Sequence, residues 1–141
     1  MKRILGATLG ALVLSVTLGS TAAQAGPATG SYSAGTQYGD TLRGQFRQNV
    51  DGSGYYWRSY GSSACTQATT GTPDFSWSDM NSNKNWNDVA SWASDHNQCD
   101  TKLYQNTGFG GDTIGYLDFG TGGTSLSPYS FSNKTSSYKL S

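Results

Sequence analysis

The chain contains no glutamate: all nine of its acidic residues are aspartate. Glutamate favours helix interiors and aspartate favours turns and caps, so a helical bundle is a poor reading. Histidine occurs once, as His96, in the polar run "SDHNQCD". No nucleophile elbow, P-loop or helical metal motif accompanies it, and no aspartate pair has the look of a glycosidase. The sequence therefore predicts no enzyme, and a solvated loop histidine. The basic residues form no cluster and the formal net charge is zero, which argues against a nucleic-acid partner. Two cysteines and one histidine give no recognisable zinc spacing. After residue 25 no stretch is apolar enough to cross a bilayer.

What is present starts with a leader. Met1-Lys2-Arg3 is basic, Ile4 to Leu18 is apolar, and Ala23-Gln24-Ala25 is a small-x-small cleavage site. Residues 1–25 are expected to be a secretory signal, so the protein is expected to be secreted, extracellular and free of the membrane after cleavage. In that compartment Cys65 and Cys99 are expected to form a disulfide. The mature chain is rich in Gly, Ser, Thr, Asn and Tyr, a composition of short strands and tight turns. It has the length of one domain and is expected to be a monomer.

Residues 26–44 read as a flexible tail or an edge strand. From Gln45 the chain reads "QFRQNV", "DGSG", "YYWRSY", then later "TKLYQN", "TGFGGD", "TIGYLDF": two strand-turn-strand units. Gln48-Asn49 and Gly54 recur as Gln105-Asn106 and Gly111, 57 positions on. A second echo runs at 45 positions. Trp86, Asn87, Asp88 and Ser91 fall on Phe131, Ser132, Asn133 and Ser136. The shorter offset places about twelve extra residues in the first unit, within Ser62 to Lys84. Units this short cannot bury their own faces, so they are expected to pack on each other as two sheets.

The second unit resembles a βγ-crystallin Greek key. Tyr104-x-x-x-x-Phe109-x-Gly111 is similar to that family's hairpin. The two phrases resemble its calcium motif, (Asn/Asp)-(Asn/Asp)-x-x-(Ser/Thr)-Ser. Asn87-Asp88-Val89-Ala90-Ser91 fits five positions, with Trp92 in the sixth. Asn133-Lys134-Thr135-Ser136-Ser137 fits the last five, with Ser132 in the first. The resemblance implies an all-β, two-Greek-key sandwich over residues 45–141, with a first key at about 45–98 and a second at about 99–141. It also implies weak calcium binding between the keys. Asn87, Asp88, Val89 and Ser91 would form one half and Asn133, Lys134 and Ser136 the other, with backbone carbonyls near Gly54 and Gly111 completing the shells.

Two other readings stay open at this level. The phrases are also plain turn-formers, with Asn87 capping a short helix. The resemblance extends to secreted inhibitors of peptidase inhibitor family I36 and to killer-toxin-like antimicrobial proteins. For an inhibitor the expected partner is an extracellular peptidase, in particular a metallopeptidase. The candidate loop is Cys65, Thr66, Gln67, Ala68, Thr69 and Thr70, pinned by Cys65 and stiffened by Pro73. Trp77 and Trp92 have no assigned packing role.

Overall fold

Phe46 on one strand and Trp57 and Ser59 on the next are fully or almost fully buried, while their neighbours Arg47, Tyr56 and Arg58 are half-exposed. That alternation is the signature of strands with one face on a core. The computed structural model describes residues 28–35, 41–68 and 70–141. The expected signal at 1–25 and Thr69 of the candidate loop lie outside the described residues.

Nine strands and three short 3-10 turns make up the described chain. The strands are β1 (Tyr32–Gly35), β2 (Thr41–Arg47), β3 (Tyr56–Gly61), β4 (Phe75–Trp77), β5 (Trp92–Asp95), β6 (Thr101–Asn106), β7 (Gly110–Leu117), β8 (Thr124–Ser125) and β9 (Ser137–Leu140). They form two sheets, ordered β1-β3-β2-β5-β8 and β4-β9-β6-β7. Strands β2 to β5 make one Greek key and β6 to β9 the other. The third strand of each key crosses over: β4 pairs with β9, and β8 pairs with β5. The fold is an all-β sandwich of two keys locked by this exchange.

Both hairpins obey the 57-residue offset. Gly54 (φ +81°) lies on Asn49, and Gly111 (φ +72°) lies on Asn106. A side chain at either glycine would be strained by the backbone and blocked by that asparagine. The strand pairing repeats as well. Arg47 lies opposite Tyr56 and Trp92, and Tyr104 lies opposite Thr113 and Ser137.

The core lies between the sheets. Trp57, Trp86, Phe46, Met80, Leu103, Leu126, Tyr138 and Leu140 are fully buried. Polar atoms in it are paired across the sheets. Trp57 Nε1 donates to Tyr138 Oη at 2.7 Å, and Ser59 Oγ lies 2.5 Å from the same hydroxyl. Trp77 belongs to this cluster: its ring stacks on Phe75 at 6.4 Å and meets Trp57 edge-on at 5.5 Å.

Strand β2 begins at Thr41, ahead of the 45–141 span read from the sequence. A bulge between Leu42 and Gly44 accommodates Arg43. Gly44 sits close to Leu140 of the facing sheet, where an added Cβ would lie 3.2 Å from Leu140 Cδ2. Within residues 26–44, β1 is an edge strand, parallel to β3. Asn87 caps no helix. The turn nearby is Met80–Ser82, with Asp79 accepting from Asn81 N–H.

The extra residues of the first unit lie mostly between β3 and β4. This insertion is tied down at Ser63, Cys65, Thr66, Ala68 and Asp74. The disulfide Cys65–Cys99 holds it to the β5–β6 connection, and Cys65 N–H donates to Asn97 O at 2.9 Å. Thr66 N–H and Oγ1 both donate to Asp74 Oδ2, at 2.7 and 2.8 Å. Ser141 Oγ donates to Ala68 O. The buried Arg43 guanidinium donates to Ser63 O and Asp74 O, at 3.0 and 2.7 Å.

Candidate functional site

The two phrases form matching turns. Asp88 and Asn133 both have φ 56°. Asparagine and aspartate are the non-glycine residues that most readily take this left-handed conformation. Trp86 and Phe131, one on each phrase, anchor the turns in the core. Between them the phrases exchange bonds reciprocally. Asp88 N–H donates to Thr135 O at 3.1 Å, and Asn133 N–H donates to Ala90 O at 2.9 Å. Ser136 Oγ donates to Asp88 Oδ1 at 3.1 Å, and Ser91 Oγ donates to Asn133 Oδ1 at 2.7 Å. Each bond has its counterpart 45 residues on.

The surrounding backbone keeps the same symmetry. Ser91 N–H donates to Arg47 O and Ser136 N–H to Tyr104 O. Met80 N–H donates to Ser136 O, and Leu126 N–H to Ser91 O. The two serines are therefore held from both keys at once, and all of these atoms are oxygen or amide groups.

Asp88 supplies the only carboxylate in either phrase. It is half-buried, and loss of water pushes its pKa up against the opposing bonds from Ser136 and Asn87. Asn87 Nδ2 donates to its Oδ2 at 2.9 Å. No positive charge figures among these influences. Val89 O accepts a long 3.4 Å contact from Ser91 Oγ, and the Lys134 side chain is exposed. Gly54 and Gly111 stand in the hairpin turns next to the phrases, where no hydrogen bond ties either glycine to a phrase.

Two residues outside the expected set belong to the same region. Ser137 Oγ donates to Asn106 O at 2.6 Å and accepts from Phe109 N–H at 3.1 Å, binding the second hairpin to the second phrase. Thr135 Oγ1 is fully buried without a hydrogen-bond partner. Ser137 was visible as the motif's sixth position; the unpaired hydroxyl had no sequence signal. In the first phrase the sixth position is Trp92, whose indole packs on Gly52 and Gly123: a Cβ on Gly123 would lie 2.0 Å from the ring.

His96 lies elsewhere. Its Nε2 is 3.1 Å from Ser94 Oγ, and burial together with the nearby Arg58 lowers its pKa. Ser94 is buried, and among the described residues no carboxylate hydrogen-bonds to the imidazole. Beside it opens a polar cleft of about 220 Å³ lined by Asp95, Asn97 and Asp118 among others.

Asp95 joins the keys. Its carboxylate accepts from Thr101 Oγ1 and, at 2.7 Å, from Phe119 N–H. Burial pushes its pKa up to about 7. Between about pH 4 and 7 the folded form keeps a proton that the unfolded chain has released. Asp95 therefore makes stability fall as pH rises through that window and level off above it. Asp88 and Asp100, also raised, act in the same direction, and His96, lowered, acts in the opposite one. Urea unfolding at about pH 4.5 and about pH 7.5 should show a flatter pH dependence in Asp95→Asn than in wild type. Identical dependence in both would contradict the assignment.

No protein-family model and no curated protein matches the chain. Solved structures do. One, described as "Evolution of the eye lens beta-gamma-crystallin domain fold", superposes with a TM-score of 0.56 at 16% identity, covering 77% of this chain and 93% of that one. The fold is that of a βγ-crystallin domain. A second structure, "Crystal structure of N-terminal domain of protein S", has a TM-score of 0.45 at 19% identity, covering 70% of this chain and 94% of that one. Within this βγ-crystallin sandwich the described residues hold no group of three or more His, Cys, Asp or Glu side chains able to bind a metal. Any cation in the crossed phrases would be held by neutral oxygens and the single Asp88 carboxylate.

Proposed function

We propose that the chain is a secreted, non-catalytic binding module that takes up calcium weakly between its two keys. The observation that carries this reading is the reciprocal pairing of Ser136 with Asp88 and Ser91 with Asn133. Calcium takes six to eight hard oxygen ligands. The donors here are hydroxyl, amide and carboxylate oxygens, and the one carboxylate is half-buried at the crossing, where Ser136 donates to it. Asp88, Val89 and Ser136 would hold one ion, with Asn87 second to Asp88; Asn133, Lys134 through its carbonyl, and Ser91 would hold the other. Carbonyls of the hairpins at Gly54 and Gly111 would complete the shells. One charge over two sites implies a Kd on the order of 10⁻⁵–10⁻³ M. Thermal unfolding in calcium against chelator tests the reading. A rise of several degrees supports it, and no rise removes it.

A second reading rests on the insertion. Thr66, Gln67, Ala68 and Thr70 are exposed, while the disulfide at Cys65, Asp74 at Thr66 and Ser141 at Ala68 tether the segment. A loop pre-set in one shape loses little entropy on binding, as a peptidase inhibitor requires. Inhibition of an extracellular metallopeptidase, relieved when Asp74→Ala frees Thr66, supports it. Wild-type protein that leaves such enzymes fully active at micromolar concentration rejects it.

A further inference from the structure

The outward face of the first sheet carries a row that the calcium reading does not use. Register places Tyr56, Arg47 and Trp92 directly opposite one another on β3, β2 and β5. The next row is Arg58, Gln45 and Ser94. The two guanidinium groups flank one ring: Arg58 lies 4.2 Å and Arg47 5.6 Å from the Tyr56 centroid. Gln45 Oε1 accepts from Arg58 Nε at 2.6 Å, which fixes the direction of that guanidinium. Arg47 Nε is buried and has no hydrogen-bond partner. Gly52 and Gly123 pack closely against the Trp92 indole and fix its position. The only acid on these three strands is Asp95, which is buried and faces Thr101 and Phe119 N–H.

The repeat maps Tyr56, Arg47 and Trp92 onto Thr113, Tyr104 and Ser137 in the second sheet, where Lys102 and Lys139 lie over the Tyr104 ring at 5.4 and 5.5 Å. The second sheet thus sets ammonium groups over its tyrosine, while the first sets guanidinium groups there and adds Trp92. The replacement of the motif's serine by Trp92 belongs with the two arginines.

We propose that this row is a recognition face for an acidic polysaccharide, whose carboxylates seat on Arg47 and Arg58 while a sugar ring lies against Trp92. Guanidinium offers a carboxylate two parallel N–H donors. The C–H face of a pyranose packs on an aromatic side chain, which presents a broad apolar surface. One strand spacing, about 5 Å, separates Arg47 from Trp92, so a single uronate unit reaches both. The row crosses the middle of the sheet and not an edge, so an acidic peptide gains no strand pairing there.

Isothermal titration of the mature chain with polygalacturonate, in chelator so that no divalent cation bridges, tests the proposal. Neutral dextran and poly-glutamate are the comparisons. The expected result is salt-sensitive binding to polygalacturonate alone. Arg47→Gln should weaken it about tenfold or more, the scale of a lost charged hydrogen bond. Trp92→Ser should weaken it too, and Lys102→Gln on the opposite sheet should not. Arg58→Gln serves in place of Trp92→Ser if that variant unfolds. Absence of binding, equal binding to poly-glutamate, or an equal loss in Lys102→Gln would overturn the proposal. Because calcium is excluded, none of these results bears on the crossed phrases.

Discussion

Trp57→Ala should lower the unfolding free energy by about 3–5 kcal/mol, the range for truncating a buried tryptophan. The indole is fully buried and lies within 4.4 to 6.3 Å, centroid to centroid, of Tyr32, Trp77, Trp86 and Tyr138. Its removal leaves a void where β1, β3, β4 and β9 meet. It also takes a hydrogen bond from the Tyr138 hydroxyl, which then keeps only Ser59. Small domains have about 5–15 kcal/mol in total, so the variant should sit near the edge of folding. Trp57→Phe separates the two effects by keeping a ring and losing the N–H. Its cost should be well under that of alanine. Urea unfolding with an unchanged slope is the measurement, and a Trp57→Ala loss below about 1 kcal/mol would contradict this account of the core.

The sequence made the repeat legible because its marks are local. Gly54 and Gly111 are needed where the chain turns over Asn49 and Asn106, and such glycines can be read one residue at a time. Trp86 and Phe131 announce the two phrases for the same reason: each is a large ring ahead of a polar turn. The crossing of Ser91 and Ser136 followed from placing the two phrases face to face.

Other features had no local mark. The partners Trp57 and Tyr138 are 81 residues apart, and nothing near either predicts the other. Arg43 looks like a surface residue beside a glycine, yet it is buried because the insertion folds back over it. The glycine-rich composition of residues 26–44 hides the start of strand β2, where Gly44 packs closely on Leu140 of the other sheet. Asp95 looks like one more polar loop residue in "SDHN", but the crossover brings Thr101 and Phe119 to it.

Calcium should raise the melting temperature of the wild-type chain by several degrees. A metal that binds only the folded form stabilises it by about 2.7 kcal/mol at a hundredfold excess over Kd. At this domain size that free energy is a readily measured shift. Asp88 brings the only carboxylate, so Asp88→Ala should lose most of the rise. Ser136→Ala, which removes the hydroxyl paired with Asp88, should lose part of it. Asn133→Asp should enlarge the rise. Aspartate tolerates the φ of 56° at that position, still accepts from Ser91, and adds a second charge. Each variant is compared with itself in calcium and in chelator, because a lost turn hydrogen bond lowers both curves alike. The most direct test is therefore wild-type unfolding in about 5 mM calcium, above the weak end of the expected affinity range, against chelator. The account predicts a rise of several degrees that Asp88→Ala abolishes. Equal melting temperatures in the two buffers would contradict it and leave the crossed phrases as a device that only joins the two keys.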